Sequence, residues 1–204
     1  MDSQRLRSCG FEPNFTVEVH PPYPPDGTWD CPVVGFDVDG RAHPCTEFDG
    51  RAALVARVQP AERPAWVGLF DNGGLGRVEG AFAGPGPGQL CVVAEGTAYL
   101  VDVDSPTDGA VVVGDQVQHV AADTEHRLLL LAGDTDLVAV GVAGLAWRSP
   151  RVALDGLRIA GTGAAGIQCH AWLGDHDGAT HLITIDPCTG RVAAGPVLPD
   201  RLQS

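Results

Sequence analysis

The sequence predicts an all-β fold of stacked antiparallel β-meander or hairpin repeats, and three observations carry that expectation. Short apolar runs recur in pairs around Gly/Asp turns, Gly and Pro are abundant at 27 and 16 of 204 residues, and convincing helical periodicity is absent. The clearest pair is QLCVVAEGTAYLVDVD (89–104), two β-rich runs around Glu95-Gly96. RLLLLAGDTDLVAVGV (127–142) repeats the plan with its turn near Gly133-Asp134. IQCHAWLGDHDGATHLITID (167–186) does so again with a longer connection. Leu90 to Leu128 and Tyr99 to Leu137 are each steps of 38 residues, and Leu137 to His181 is 44. A unit near 40 residues, closed by Gly/Asp turns, is the pattern of propeller blades or related stacked meanders. Three or four units are too few for an ordinary closed propeller. A partial propeller-like array, a sandwich-like stack and closure by oligomerisation are the architectures that remain.

Around these repeats (66–195) the other elements follow in order. Residues 1–30 are Pro-rich toward their end (HPPYPPDGTWDCP, 20–32) and predict an extended segment laid over the core by Tyr23 and Trp29. DGRAALVARV (49–58) comes closest to a helix, but its β-branched residues and neighbours read as strand. PAERPAW (60–66) and AGPGPGQ (83–89) are stiff or turning connectors, and TIDPCTGRVAAG (184–195) closes the last unit with an Asp-x-x-Thr-Gly turn and a short strand. The whole chain, 1–204, is expected to form one domain, a usual length for all-β architectures.

Composition narrows the function classes. The formal net charge is −13, and the 13 basic residues are all Arg, in no dense cluster. Phosphate backbones and anionic lipid need clustered positive charge, so neither nucleic acid nor a membrane is an expected partner. A basic protein would be attracted by such a surface. The first residues show no apolar stretch of a secretory signal. The six cysteines, at 9, 31, 45, 91, 169 and 188, form no Cys-x-x-Cys pair, and they read as reduced thiols of a cytoplasmic protein.

Two segments share the pattern Asp-x-Asp-Gly-x-x-His: FDVDGRAH (36–43) and GDHDGATH (174–181). Neither fits a calcium loop, because position 5 is Arg41 in one and Ala179 in the other. Read as type I′ turns centred on Asp39-Gly40 and Asp177-Gly178, they pair Phe36 with His43 and Gly174 with His181. His43 then sits beside Phe36, and Asp37 points to the other face. In the second copy His170, Trp172, His176 and His181 share a face, and His176 with His181 forms a candidate metal pair. A third ligand would have to come from elsewhere, with Asp136, Glu125 or Cys169 as candidates.

Other catalytic patterns are weak. Ser149 precedes Pro150 with no local base, and adjacent Cys169 and His170 point to opposite faces of a strand. Cys169 reads as a small buried hydrophobe. Gly161-x-Gly163-x-x-Gly166 lacks a following helix and reads as a turn. No catalytic residue and no cofactor is assigned. The densest recognition chemistry lies in GLAWRSPRVALDGLRI, where Trp147, Arg148, Arg151, Asp155 and Arg158 combine aromatic and guanidinium groups. Its plainer reading has Trp147 capping the core and an arginine paired with Asp155. A second candidate surface is the acidic set Asp102, Asp104, Asp108, Asp115 and Asp123.

From Trp66 to Ile159, about half of the chain, the sequence resembles a widespread group of uncharacterised bacterial β-repeat, propeller-blade-like proteins. The shared features are the Trp-x-Gly opening at Trp66, the two hairpins, and the GLAWRS-x-R-x-x-x-DGL segment. The resemblance implies a small intracellular β-repeat protein and brings no established activity. The leading expectation is a non-enzymatic protein-binding module, with an immunity-type protein that neutralises a toxin as its specific form. The alternatives are a metal-dependent enzyme using His176 and His181, and a structural β-repeat domain that closes by oligomerisation.

Overall fold

A computed structural model describes residues 4–45, 52–74, 76–199 and 202, and in it the chain forms four β-sheets packed face to face in chain order. The first sheet holds β1 (Gln4–Arg5), β2 (Phe15–Val19), β3 (Val33–Phe36), β4 (Ala42–Pro44), β5 (Ala52–Pro60) and β6 (Trp66–Asp71), in the order β1-β2-β5-β6-β3-β4. Three four-stranded antiparallel meanders follow. They comprise β7 (Gly80–Ala83), β8 (Gln89–Ala94), β9 (Thr97–Asp102) and β10 (Ala110–Gly114); then β11 (His119–Asp123), β12 (Leu128–Ala132), β13 (Leu137–Gly141) and β14 (Gly144–Arg148). The last comprises β15 (Asp155–Gly161), β16 (Ile167–Trp172), β17 (Thr180–Ile185) and β18 (Val192–Ala194). The expected all-β stack is therefore present, and it does not close into a barrel. The second strands of the three meanders begin at Gln89, Leu128 and Ile167, 39 residues apart each time.

Three cores separate the four sheets, and residue alternation shows how each strand serves them. In β8, Leu90, Val92 and Ala94 face the first sheet, whereas Cys91 and Val93 face the third. In β12, Leu129 and Leu131 face back, whereas Leu128, Leu130 and Ala132 face forward onto the fourth sheet. Strands covered on both sides need apolar residues at every position, which is why these runs are continuous. Burial drives the Cys91 and Cys169 thiols up to about 12, so both are packing groups rather than nucleophiles.

Local chemistry sets the turns. Ala94 pairs with Thr97 around Glu95 and Gly96, both at positive φ (42° and 91°), the two-residue hairpin expected there. The Gly163–Gly166 segment is a turn leading into β16, as expected. In the Asp186–Gly190 turn, the Cys188 N–H and the Thr189 hydroxyl hold the Asp186 carboxyl below its ordinary range. The first sheet is pinned to the second by aromatics. The Phe70 and Tyr99 rings meet at 5.4 Å, Trp66 Nε1 donates to the Val103 carbonyl, and the Tyr99 hydroxyl donates to the Asp71 carbonyl. Within the N-terminal thirty residues, 15–19 is a strand of this sheet, and Tyr23 and Trp29 pack edge-on against each other at 5.9 Å. Asp30 from the same stretch pairs with Arg57 on the outer face of the sheet at 2.9 Å. Residues 49–51 of the helix-like window lie outside the described residues, and the rest of it is β5.

Candidate binding surfaces

The two Asp-Gly motifs form turns, but not the two-residue turns the pattern predicts. In the first, the Gly40 N–H donates to the Asp37 carbonyl at 2.8 Å, and only the glycine takes positive φ (81°). A type I′ turn would have put Asp39 at positive φ as well, a strained position for a residue with a Cβ. A turn ending in a left-handed glycine avoids that strain and lengthens the loop by three residues. Phe36 therefore pairs with Ala42, and His43 pairs with Gly35. Slipping the register by one residue exchanges the faces. His43 is exposed on the face opposite Phe36, and its ring, with the Cys45 sulfur, fills the space a side chain at Gly35 would need.

The second motif departs further. The Gly178 N–H donates to the Asp175 carbonyl at 3.0 Å, and Trp172 pairs with Thr180 across a loop of residues 173–179. His181 then faces Ala171, not Gly174, and lies on the opposite side of the sheet from His170 and Trp172. Its Nε2 is 2.5 Å from Asp175 Oδ2, and His176 lies in the exposed loop. The shared histidine face predicted for this hairpin is thus replaced by a His181–Asp175 pair. No group of three His, Cys, Asp or Glu residues able to hold a metal occurs among the described residues.

The segment from Trp147 to Arg158 is divided between three places. Trp147 Nε1 donates to the Pro187 carbonyl at 2.7 Å and its ring packs over Gly190, tying the third sheet to the fourth. Arg148 pairs with Asp136 at 3.2 Å and donates to the Val113 carbonyl, and Arg151 donates to the carbonyls of Ala153 and Leu154. Arg148 and Arg151 also line a depression of about 570 Å³ with Arg191. Asp155 accepts the Gly156 N–H rather than pairing with an arginine, and it lies with Arg158 in a separate cavity. Of the acidic set, Asp123 is buried and holds His126 at 2.8 Å, so it belongs to the interior. Ser149 is buried too, with its Oγ accepting the Leu137 N–H and donating to the Pro150 carbonyl.

One face shared with no other sheet is missed by motif reading. Every internal sheet is covered on both faces, but the fourth is covered on one. In β16, Ile167, Cys169 and Ala171 enter the core, whereas Gln168 and His170 are exposed and Trp172 is half-buried. Arg158, His170 and Leu182 form one cross-strand row on the outer side, and Gln168, Thr184 and Ala194 form another. No family model, curated protein or solved structure matches this chain. The alternation IQCHAW was the available signal: period two with polar residues on one side marks a strand with one open face. No helix among the described residues is long and apolar enough to cross a membrane.

Proposed function

We propose that this protein is a non-enzymatic protein-binding module of bacterial origin whose recognition surface is the outer face of the fourth sheet. The observation that supports this most is the row Arg158–His170–Leu182, beside Trp172, on a face that no other sheet covers. Leu182 is 50% exposed at one end of this row, next to the His170 imidazole and diagonal to Trp172, with the Arg158 guanidinium at the other end, the composition of binding hot spots. Asp155, Asp175 and Asp177 stand at the Trp172 end of the face. With a net charge of −13, this favours a basic partner. Neutralisation of a toxin is the specific form of this reading, since inhibition by occlusion needs a complementary surface and no catalytic group.

The test uses the purified protein and its Leu182→Asp variant as paired baits against extract of the native host. The expected result is a stoichiometric basic protein retained by the wild type and lost with Leu182→Asp, while size-exclusion chromatography shows a monomer. A concentration-dependent dimer abolished by the same substitution would instead identify the face as a self-association surface. Retention unaffected by Leu182→Asp would remove this face from the proposal.

A further inference from the structure

A cavity of about 660 Å³ opens where three sheets meet, within the size range of small-molecule sites. Arg77 precedes β7, Gln118 and His119 stand at the start of β11, and Asp155 and Arg158 come from β15, so each meander contributes at or near its first strand. Asp134, from the β12–β13 turn, completes the polar lining.

Two features distinguish this cavity from a surface dent. Gln118 Oε1 and His119 Nδ1 are buried side-chain atoms without a hydrogen-bond partner, and among the described residues they are the two that are so. An unpaired buried polar atom is costly, and both of these sit on residues that line the cavity, so its wall is polar and under-satisfied. Flipping the Gln118 amide does not help, because its Nε2 already donates to Asp134 Oδ2 at 3.3 Å and a flip would set oxygen against carboxylate. The second feature is the pair of guanidiniums. Arg77 and Arg158 form no ion pair among the described residues, in a chain with 26 carboxylates to 13 basic side chains.

The remaining lining defines the complement. Burial, and then the nearby Arg158 charge, hold the His119 imidazole below its ordinary value, so it is neutral at pH 7. Asp155 has one oxygen committed to the Gly156 N–H, and Asp134 has one committed to Gln118. Two guanidiniums and two carboxylates thus surround a neutral imidazole and an unfilled amide oxygen. A simple anion would satisfy the arginines but be repelled by both aspartates, and a simple cation meets the reverse problem.

We propose that this cavity binds a small zwitterion of the free α-amino-acid class, with its carboxylate taken by Arg77 and Arg158 and its ammonium donating to Asp134 and Asp155. The cavity shares Arg158 and Asp155 with the edge of the protein-binding surface, whereas Arg77, Gln118 and His119 lie outside it, so Arg77→Gln tests the cavity alone. The experiment is an amide-resolved NMR titration of the full chain with the common L-amino acids, and with acetate and methylammonium as probes carrying one pole each. At least one amino acid is expected to move the His119, Gly156 and Leu157 amides saturably at millimolar concentration or below. Acetate and methylammonium should each bind at least about tenfold more weakly, and Arg158→Gln or Arg77→Gln should weaken the amino acid by about tenfold or more. Using both variants separates loss of binding from loss of fold, since each spectrum reports its own folding. Absence of saturable shifts with every amino acid overturns the proposal. So does acetate binding as tightly as the best amino acid, or binding unchanged in two folded variants.

Discussion

The two Asp-x-Asp-Gly-x-x-His segments make the same local bond and then do different work. In both, the glycine N–H reaches back to the first aspartate's carbonyl, and only the glycine is left-handed. The first turn is docked on the second sheet through its buried Gly40, whose carbonyl accepts the Ala110 N–H at 2.8 Å. A Cβ at Gly40 would run into the Ala110 carbonyl oxygen, whereas one at Gly178 meets nothing within 4 Å. The aspartates differ in the same sense. Asp37 Oδ1 accepts both the Asp39 and Arg41 N–H groups, but Asp175 is turned outward to His181, and Asp177 caps the loop through Ala179. A turn sequence thus specifies a turn, and its neighbours decide whether that turn is a joint or a tip.

The sharpest way to break this comparison is to add one methyl group to each turn. Gly178→Ala bears only the left-handed strain, about 1 kcal/mol. Gly40→Ala adds a clash with backbone that cannot rotate away, and is expected to cost about 3 kcal/mol or more. Urea denaturation of the two variants measures the difference. Equal losses would mean that the first turn is not a joint between sheets.

The same contrast extends to the ends of the stack. On the outer face of the first sheet Leu69 is 7% exposed, beside Gly35 and the His43 ring that fills it, and Val67 is fully buried. On the outer face of the last sheet Leu182 is 50% exposed. Leu69→Ala should therefore cost about 2–3 kcal/mol in urea titrations, and Leu182→Ala less than about 0.5 kcal/mol. A large loss at Leu182 would show that the open face is structural, and it would remove the main support for a recognition surface there.

Much of this architecture was legible because it is local. Continuous apolar runs such as LLLLA and the turn at Glu95-Gly96 are read within a few residues, and the near-40-residue period follows from their spacing. The register of the Asp-Gly hairpins was misread because Asp-Gly fits both a two-residue turn and a longer turn ending in a left-handed glycine. Avoiding strain at Asp39 selects the second, and each slip carried a histidine to the wrong face. The cluster Trp147–Arg158 is dense in sequence but divided in space, with Trp147 turned to Pro187 and Arg148 to Asp136. The cavity was illegible for the opposite reason. Arg77, His119 and Arg158 come from three sheets, and no local pattern links them.

The smallest expected effect concerns the one constellation in the second turn that resembles catalytic or metal chemistry. His181 and Asp175 lie 2.5 Å apart, but their side chains are 36% and 46% exposed, so solvent screens most of their attraction. A zinc ion needs three or four converging ligands, and the register places His181 across the sheet from His170, leaving no third group among the described residues. Asp175→Ala and His181→Gln are accordingly expected to change stability by less than about 0.5 kcal/mol each, the range of exposed pairs. Asp37→Ala, which strips a charged acceptor from two backbone N–H groups, should cost about 1–2 kcal/mol. Added Zn²⁺ should leave the thermal midpoint of the wild type unchanged. A rise in that midpoint, abolished by His181→Gln, would show that the second turn gathers ligands in solution that its folded geometry keeps apart.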